Sequence, residues 1–219
     1  GDVRRHWGLY TKNRGADPRP RYAEAIADYA EALARDPRAA DLWKSRAVVR
    51  QALATFARLR GEPWREGLAE ARADLDRALE LEPRSVWILG LRAQGDMLWG
   101  GCLTQDGEEP AEAFGRALAD FDALLREQPA PFPRIERASC RIQWAEHEHG
   151  RGRDAEALVA PARADLEAAR AEAAGSFGFG CDTRNWKRRR TVIDMDPAPG
   201  TMLRRGDNVG AAYRFKPGH

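Results

Sequence analysis

Residues 71–83 read ARADLDRALELEP. Closely related stretches occur three more times: AIADYAEALARDP at 25–37, ALADFDALLREQP at 117–129 and ARADLEAARAEAAG at 162–175. The shared aspartates Asp28, Asp74, Asp120 and Asp165 are spaced 46, 46 and 45 residues apart. Self-similarity at a fixed period of this size marks a repeat architecture. Within each stretch, small or apolar residues recur three and four apart: Ala25, Tyr29, Ala32 and Leu33; Ala71, Leu75 and Ala78; Ala117, Phe121 and Leu124; Ala162, Leu166 and Ala169. That spacing predicts one buried helical face. Alanine three before every aspartate predicts close approach of a neighbouring helix. Pro37, Pro83 and Pro129 end the first three helices, because proline disfavours helix in the residue before it. Gly175 stands at the corresponding place in the fourth, where glycine suits a helix C-cap.

A second set of marks shares the register. Arg46-Ala47, Arg92-Ala93 and Arg137-Ala138 recur at 46 and 45, and the position of Ala47 maps back onto Gly1. Trp7, Leu53, Trp99 and Trp144 are equivalent and are read as core. Gly15, Gly61, Gly107 and Gly152 follow in register, with Pro18, Pro63 and Pro110 shortly after the first three, the expected punctuation of a helix end. Each unit therefore holds a first helix, A, and a second, B. The repeated aspartates and arginines are read as structural pairing or solvated helix faces.

These residues resemble the tetratricopeptide repeat. The family's B-helix pattern matches Ala25, Tyr29, Ala32 and Pro37; Ala71, Leu75, Ala78 and Pro83; and Ala117, Phe121, Leu124 and Pro129. Its A-helix small residue matches Ala47, Ala93 and Ala138, with Trp43 at its aromatic position. The family period is about 34 residues, so about 12 additional residues per unit fall between the two motifs, as a longer A helix and a longer Gly/Pro loop. The resemblance implies an all-α fold of antiparallel helix pairs stacked in a right-handed solenoid over residues 1–174, about four units with the first truncated. It also implies an inner groove lined mostly by A helices. Mapped by family position, the groove holds Arg5, Lys44, Val48, Gln51, Trp87, Gln94, Met97, Phe132 and Ser139. Trp87 and Phe132, equivalent in adjacent units, are read first as packing between units, as large aromatics usually are, and otherwise as anchors for an apolar side chain of a bound protein or peptide segment. Chaperone-binding members clamp a terminal carboxylate with inward Lys and Asn. Here Val48, Gly90, Gln94, Ile135 and Ser139 stand at those places beside Lys44, which argues against such a clamp. The long-period form is similar to arrays in large bacterial proteins, some joined to a protein kinase.

Composition agrees with a protein able to bury a core: 43% hydrophobic and 32% charged residues. No run approaches the roughly 18 apolar residues of a membrane-spanning helix. The chain opens Gly1-Asp2-Val3 without an initiator methionine or apolar leader and is read as a partial or processed piece. Its compartment is read as cytoplasmic. Cys102, Cys140 and Cys181 make neither a disulfide framework nor a zinc pattern. His147 and His149, two apart on one helix, do not share a face and are read as surface residues. No phosphate loop, nucleophile elbow or metalloprotease motif occurs, so the expectation is a binding module without catalytic residues, metal or cofactor.

Residues 175–219 differ in kind. They carry nine Lys/Arg against four Asp/Glu, a net of +5, which leaves 27 against 30, a net of −3, for the repeats. They are expected to form a basic, largely irregular tail that caps the exposed end of the array. Lys187, Arg188, Arg189 and Arg190 beside Trp186 provide the alternative reading, contact with nucleic-acid phosphates. A third reading is a regulatory module of a larger enzyme.

Overall fold

In the computed structural model the described residues are 1, 2, 4, 5, 8 and 16–176. Contacts divide the chain into two units, Gly1–Ala174 and Gly175–His219; the first is described below. Among the described residues seven helices with stated bounds follow one another: α1 (Arg19–Arg35), α2 (Ala40–Leu59), α3 (Arg65–Leu81), α4 (Val86–Asp106), α5 (Ala111–Glu127), α6 (Pro131–Gly150) and α7 (Glu156–Ser176). Asp2, Arg4, Arg5 and Gly8 are also helical. No strand occurs among the described residues, so the fold there is all-α. None of their helices is long and apolar enough to cross a membrane.

The helices are rich in Ala, Leu, Arg and Glu, all strong helix formers, and their ends lie where the repeat marks place them. Asp36, Glu82 and Gln128 each precede a proline and adopt extended backbone, φ −136°, −132° and −142°. The clash of proline with a helical predecessor ends α1, α3 and α5 there. Gly61, Gly107 and Gly152 turn left-handed, φ +70°, +78° and +72°, and close α2, α4 and α6. The connections after α2, α4 and α6 are short, residues 60–64, 107–110 and 151–155. The extra length of these three units is therefore helix, and the expected longer loop is absent from them. At the fourth unit, α7 runs through Gly175 to Ser176, so that glycine does not end it.

From α1 to α6 consecutive helices pack as neighbours. α2 lies on α3 and α4 on α5, while α1, α3 and α5 each pack on the A helix that follows; α2 also touches α4, and α4 touches α6. Ala25, Ala47, Ala71, Ala93, Ala117 and Ala138 have no exposed surface. A methyl group at each contact lets the helix backbones come close. Larger side chains fill the space between hairpins. Leu75 of α3 packs with Ala47 of α2 and with Ile88 and Leu89 of α4. Phe121 of α5 packs with Ala93 of α4 and Cys140 of α6. Each such large side chain contributes about 1.5–3 kcal/mol by burial. Their equivalent in α7, Leu166, is 39% exposed, against the reading that placed it in the core. Tyr29, Leu75 and Phe121 are covered by the A helix that follows, and no described helix follows α7.

The repeated aspartates are buried ion-pair centres, not solvated faces, in three of the four units. Arg46 donates from Nε and Nη2 to both oxygens of Asp74 at 2.9 and 2.6 Å. Arg92 does the same to Asp120 at 2.7 Å for both bonds, and Arg137 holds Asp165, with Nε 2.8 Å from Oδ2. Asp74, Asp120 and Asp165 are 2–6% exposed. Arg50 and Arg141, one turn further along, add a second guanidinium to Asp74 and Asp165. At Asp28 the α-amino group of Gly1 and Arg4 take these places.

Gly100 of α4 faces the ring of Phe114, and a Cβ there would lie 2.7–2.9 Å from three ring atoms. Gly115 of α5 has open space around it. Gly100→Ala is expected to destabilise by about 1–3 kcal/mol through overpacking. Gly115→Ala should stabilise by about 0.5–1 kcal/mol through lower chain entropy. Urea unfolding of the two variants checks the opposite signs.

Candidate functional site

The expected groove residues lie on the A helices, and the structure divides them into two groups. Most are already engaged within the array. Gln51 of α2 donates to the carbonyl of Leu91 in α4 at 3.2 Å. A Cβ on Gly95 would come 2.3 Å from the Gln51 amide nitrogen, so glycine there permits the approach. Gln94 of α4 donates to Glu136 of α6 at 3.4 Å. Met97 packs on the cluster around Phe114 and Phe121, and Ser139 bonds back to the carbonyl of Ile135 at 2.9 Å. Lys44 pairs with Asp41, Arg5 stands 3.7 Å from Asp2, and Val48 is half-buried. For Gln51, Gln94 and Met97 the physical reason is common. Side chains on the flank between adjacent A helices meet the next helix before they reach a ligand.

Trp87 and Phe132 form the other group. They are 71% and 63% exposed, at equivalent positions in the first turns of α4 and α6. The equivalent residue of α2 is Asp41, held by Lys44. An exposed aromatic on each of two successive A helices therefore lies in register with a charged pair on the A helix before them. The proposed phosphate contacts Lys187, Arg188, Arg189 and Arg190, and the tail as a cap, lie outside the described residues.

Two features were not read from the sequence. The first is Asp96, 2% exposed in α4, at the repeat position where α2 has Arg50 and α6 has Arg141. It is held by Arg72 of α3 and by Arg116 of α5, the latter at 3.3 Å. Burial pushes its carboxyl up, and the two guanidinium groups oppose that shift. Above it α3 and α5 bound a cleft of about 410 Å³, lined by Arg72, Asp76, Trp99, Leu103, Glu112 and Arg116 among others. An acid standing where the other units have arginine was the available signal. The second is His147, 7% exposed, which corrects its surface reading; His149 is exposed as expected. His147 meets Glu109 of the α4–α5 connection, a neighbour that an isolated helix does not reveal. Cys102 and Cys140 are buried free thiols, the latter pushed up to about 12 by burial, so neither is poised as a nucleophile.

No protein-family model and no curated protein matches the chain.

Burial raises the carboxyl of Glu136, and the Gln94 amide only partly opposes it. A raised folded-state value means that folding favours the protonated form. The penalty is absent below the ordinary glutamate value of 4.5, grows as pH rises from there to the folded value, and is fully present above it. Glu136→Gln is therefore expected to raise the melting temperature at neutral pH, with the gain vanishing below that ordinary value. Melts across this range check it; a gain independent of pH contradicts the assignment.

Proposed function

We propose that residues 1–174 form a tetratricopeptide-like array, stacked as a right-handed solenoid, that works as a protein-interaction scaffold and not as an enzyme. The observation that carries this reading is the aromatic pair Trp87 and Phe132, exposed in register on successive A helices. Large aromatics held out on rigid helices supply contact area at small entropic cost and are common binding anchors. The Lys44–Asp41 pair alongside them offers polar complementarity. The ligand class is a protein segment that places apolar side chains over α4 and α6 and a polar or charged one toward α2. A cytoplasmic, bacterial setting and service as the regulatory module of a larger enzyme follow from the family resemblance alone. Nucleic-acid association through 187–190 is the alternative, and it predicts salt-sensitive binding abolished by neutralising those residues.

Peptides selected from a random display library against the wild-type chain are expected to carry aromatic or aliphatic anchors. The double change Trp87→Ala, Phe132→Ala should weaken them at least tenfold, about 1.4 kcal/mol, without lowering the melting temperature. Unchanged affinity in a folded double variant would contradict the groove assignment.

A further inference from the structure

The connection from α4 to α5 meets the end of α6 at three side chains able to ligate a metal. Glu109, His147 and Glu148 each bring one donor atom into a group in which all lie within 4.8 Å of one another. His147 is the informative member. Its side chain is 5% exposed, and its Nε2 is buried without a hydrogen-bond partner among the described residues. A buried polar nitrogen left unmatched is costly, and native proteins rarely keep one without a use. Its charged neighbour is Glu109 Oε2 at 3.7 Å, too far for a hydrogen bond. That separation is within about 0.3 Å of the roughly 3.4 Å that two ligands show when each is bonded at about 2.1 Å to one tetrahedral ion.

We propose that Glu109, His147 and Glu148 bind a borderline divalent transition-metal ion of the zinc class, which clips the α4–α5 connection to α6. One imidazole nitrogen and two carboxylate oxygens are donors that zinc accepts, whereas Mg²⁺ and Ca²⁺ select oxygen alone. The widest donor pair must close by up to about 1.4 Å, since two bonds of about 2.1 Å in a tetrahedral site hold their donors about 3.4 Å apart. Glu109 can supply that movement, being 54% exposed on a short connection. Arginines hold both carboxylates. Arg153 bridges Glu109 at 3.1 Å and also Glu148, and Arg151 lies 2.8 Å from Glu109. Both arginines are about two-fifths exposed and can turn into water, and exposed ion pairs of this kind hold weakly. Three protein ligands leave a fourth tetrahedral position for water.

Titration of the full chain with Co²⁺ tests the site. One equivalent should bind, with a visible absorption band that Zn²⁺ displaces and with a rise in melting temperature. His147→Ala should weaken binding at least tenfold, while His149→Ala leaves it unchanged. Arg153→Ala should tighten binding severalfold by removing the guanidinium that competes for both carboxylates, a gain that loss of folding cannot produce. Absence of Co²⁺ binding overturns the proposal and leaves His147 as a structural neighbour of Glu109. Binding unaffected by His147→Ala, or lost in His149→Ala, also overturns it and assigns the ion to an adventitious exposed ligand.

Discussion

In three hairpins a guanidinium group on the A helix lies across to a buried aspartate on the B helix, and the rest of the packing depends on that contact. The bidentate fork fixes the roll of one helix against the other. With the roll fixed, Ala47 meets Ala71 and Leu75, and Ala93 meets Ala117 and Phe121. Two of these arginines also reach backwards. Arg92 Nη1 lies 2.6 Å from Asp76 of α3, and Arg137 Nη1 lies 2.5 Å from Asp122 of α5. One side chain thus closes its own hairpin and ties it to the preceding one. A buried ion pair adds little net stability over an apolar pair of equal size, because desolvation offsets the attraction. Its effect here is on register: any other roll leaves a carboxylate and a guanidinium unmatched in a dry interface.

A second contact between the two helices of a hairpin, one turn along, shows in the third unit a need for opposite charges and not for a given residue. Arg4 with Glu24 and Arg50 with Glu70 pair at 3.6 and 3.2 Å. At the equivalent positions Asp96 and Arg116 form the same contact with its sign reversed, 3.3 Å apart. Arg72 adds a second guanidinium to Asp96 from the preceding hairpin. Burial of Asp96 is matched on both sides, and the two arginines that match it line the cleft between α3 and α5. In the fourth unit Pro161 stands at the position of Arg116, and Arg141 bonds Asp165.

Much of this fold was legible because its local rules act within a few residues. Proline acts on the residue before it and glycine on its own backbone angle, so Pro37, Pro83, Gly61 and Gly107 marked helix ends directly. Alanines at a fixed offset from the aspartates marked the close contacts. What stayed hidden depends on neighbours far along the chain. Gln51 and Gln94 looked free on a helical face, but the next A helix takes up their amides. Leu166 carries the core pattern without the following helix that would cover it. His147 gave no sign of burial because its neighbour Glu109 lies two helices earlier in the unit before it. Trp87 and Phe132 were legible as a pair through the repeat register, and their exposure came from the structure.

The central claim is that buried Arg–Asp pairs set the hairpin geometry, and a double-mutant cycle on Arg46 and Asp74, read by urea unfolding, tests it most directly. Arg46→Met, Asp74→Leu and the double variant should give a coupling of about 2 kcal/mol, within the range of residues sharing one buried network. A coupling below about 0.5 kcal/mol, the value of an exposed pair, would contradict the account and leave apolar packing alone to set the register.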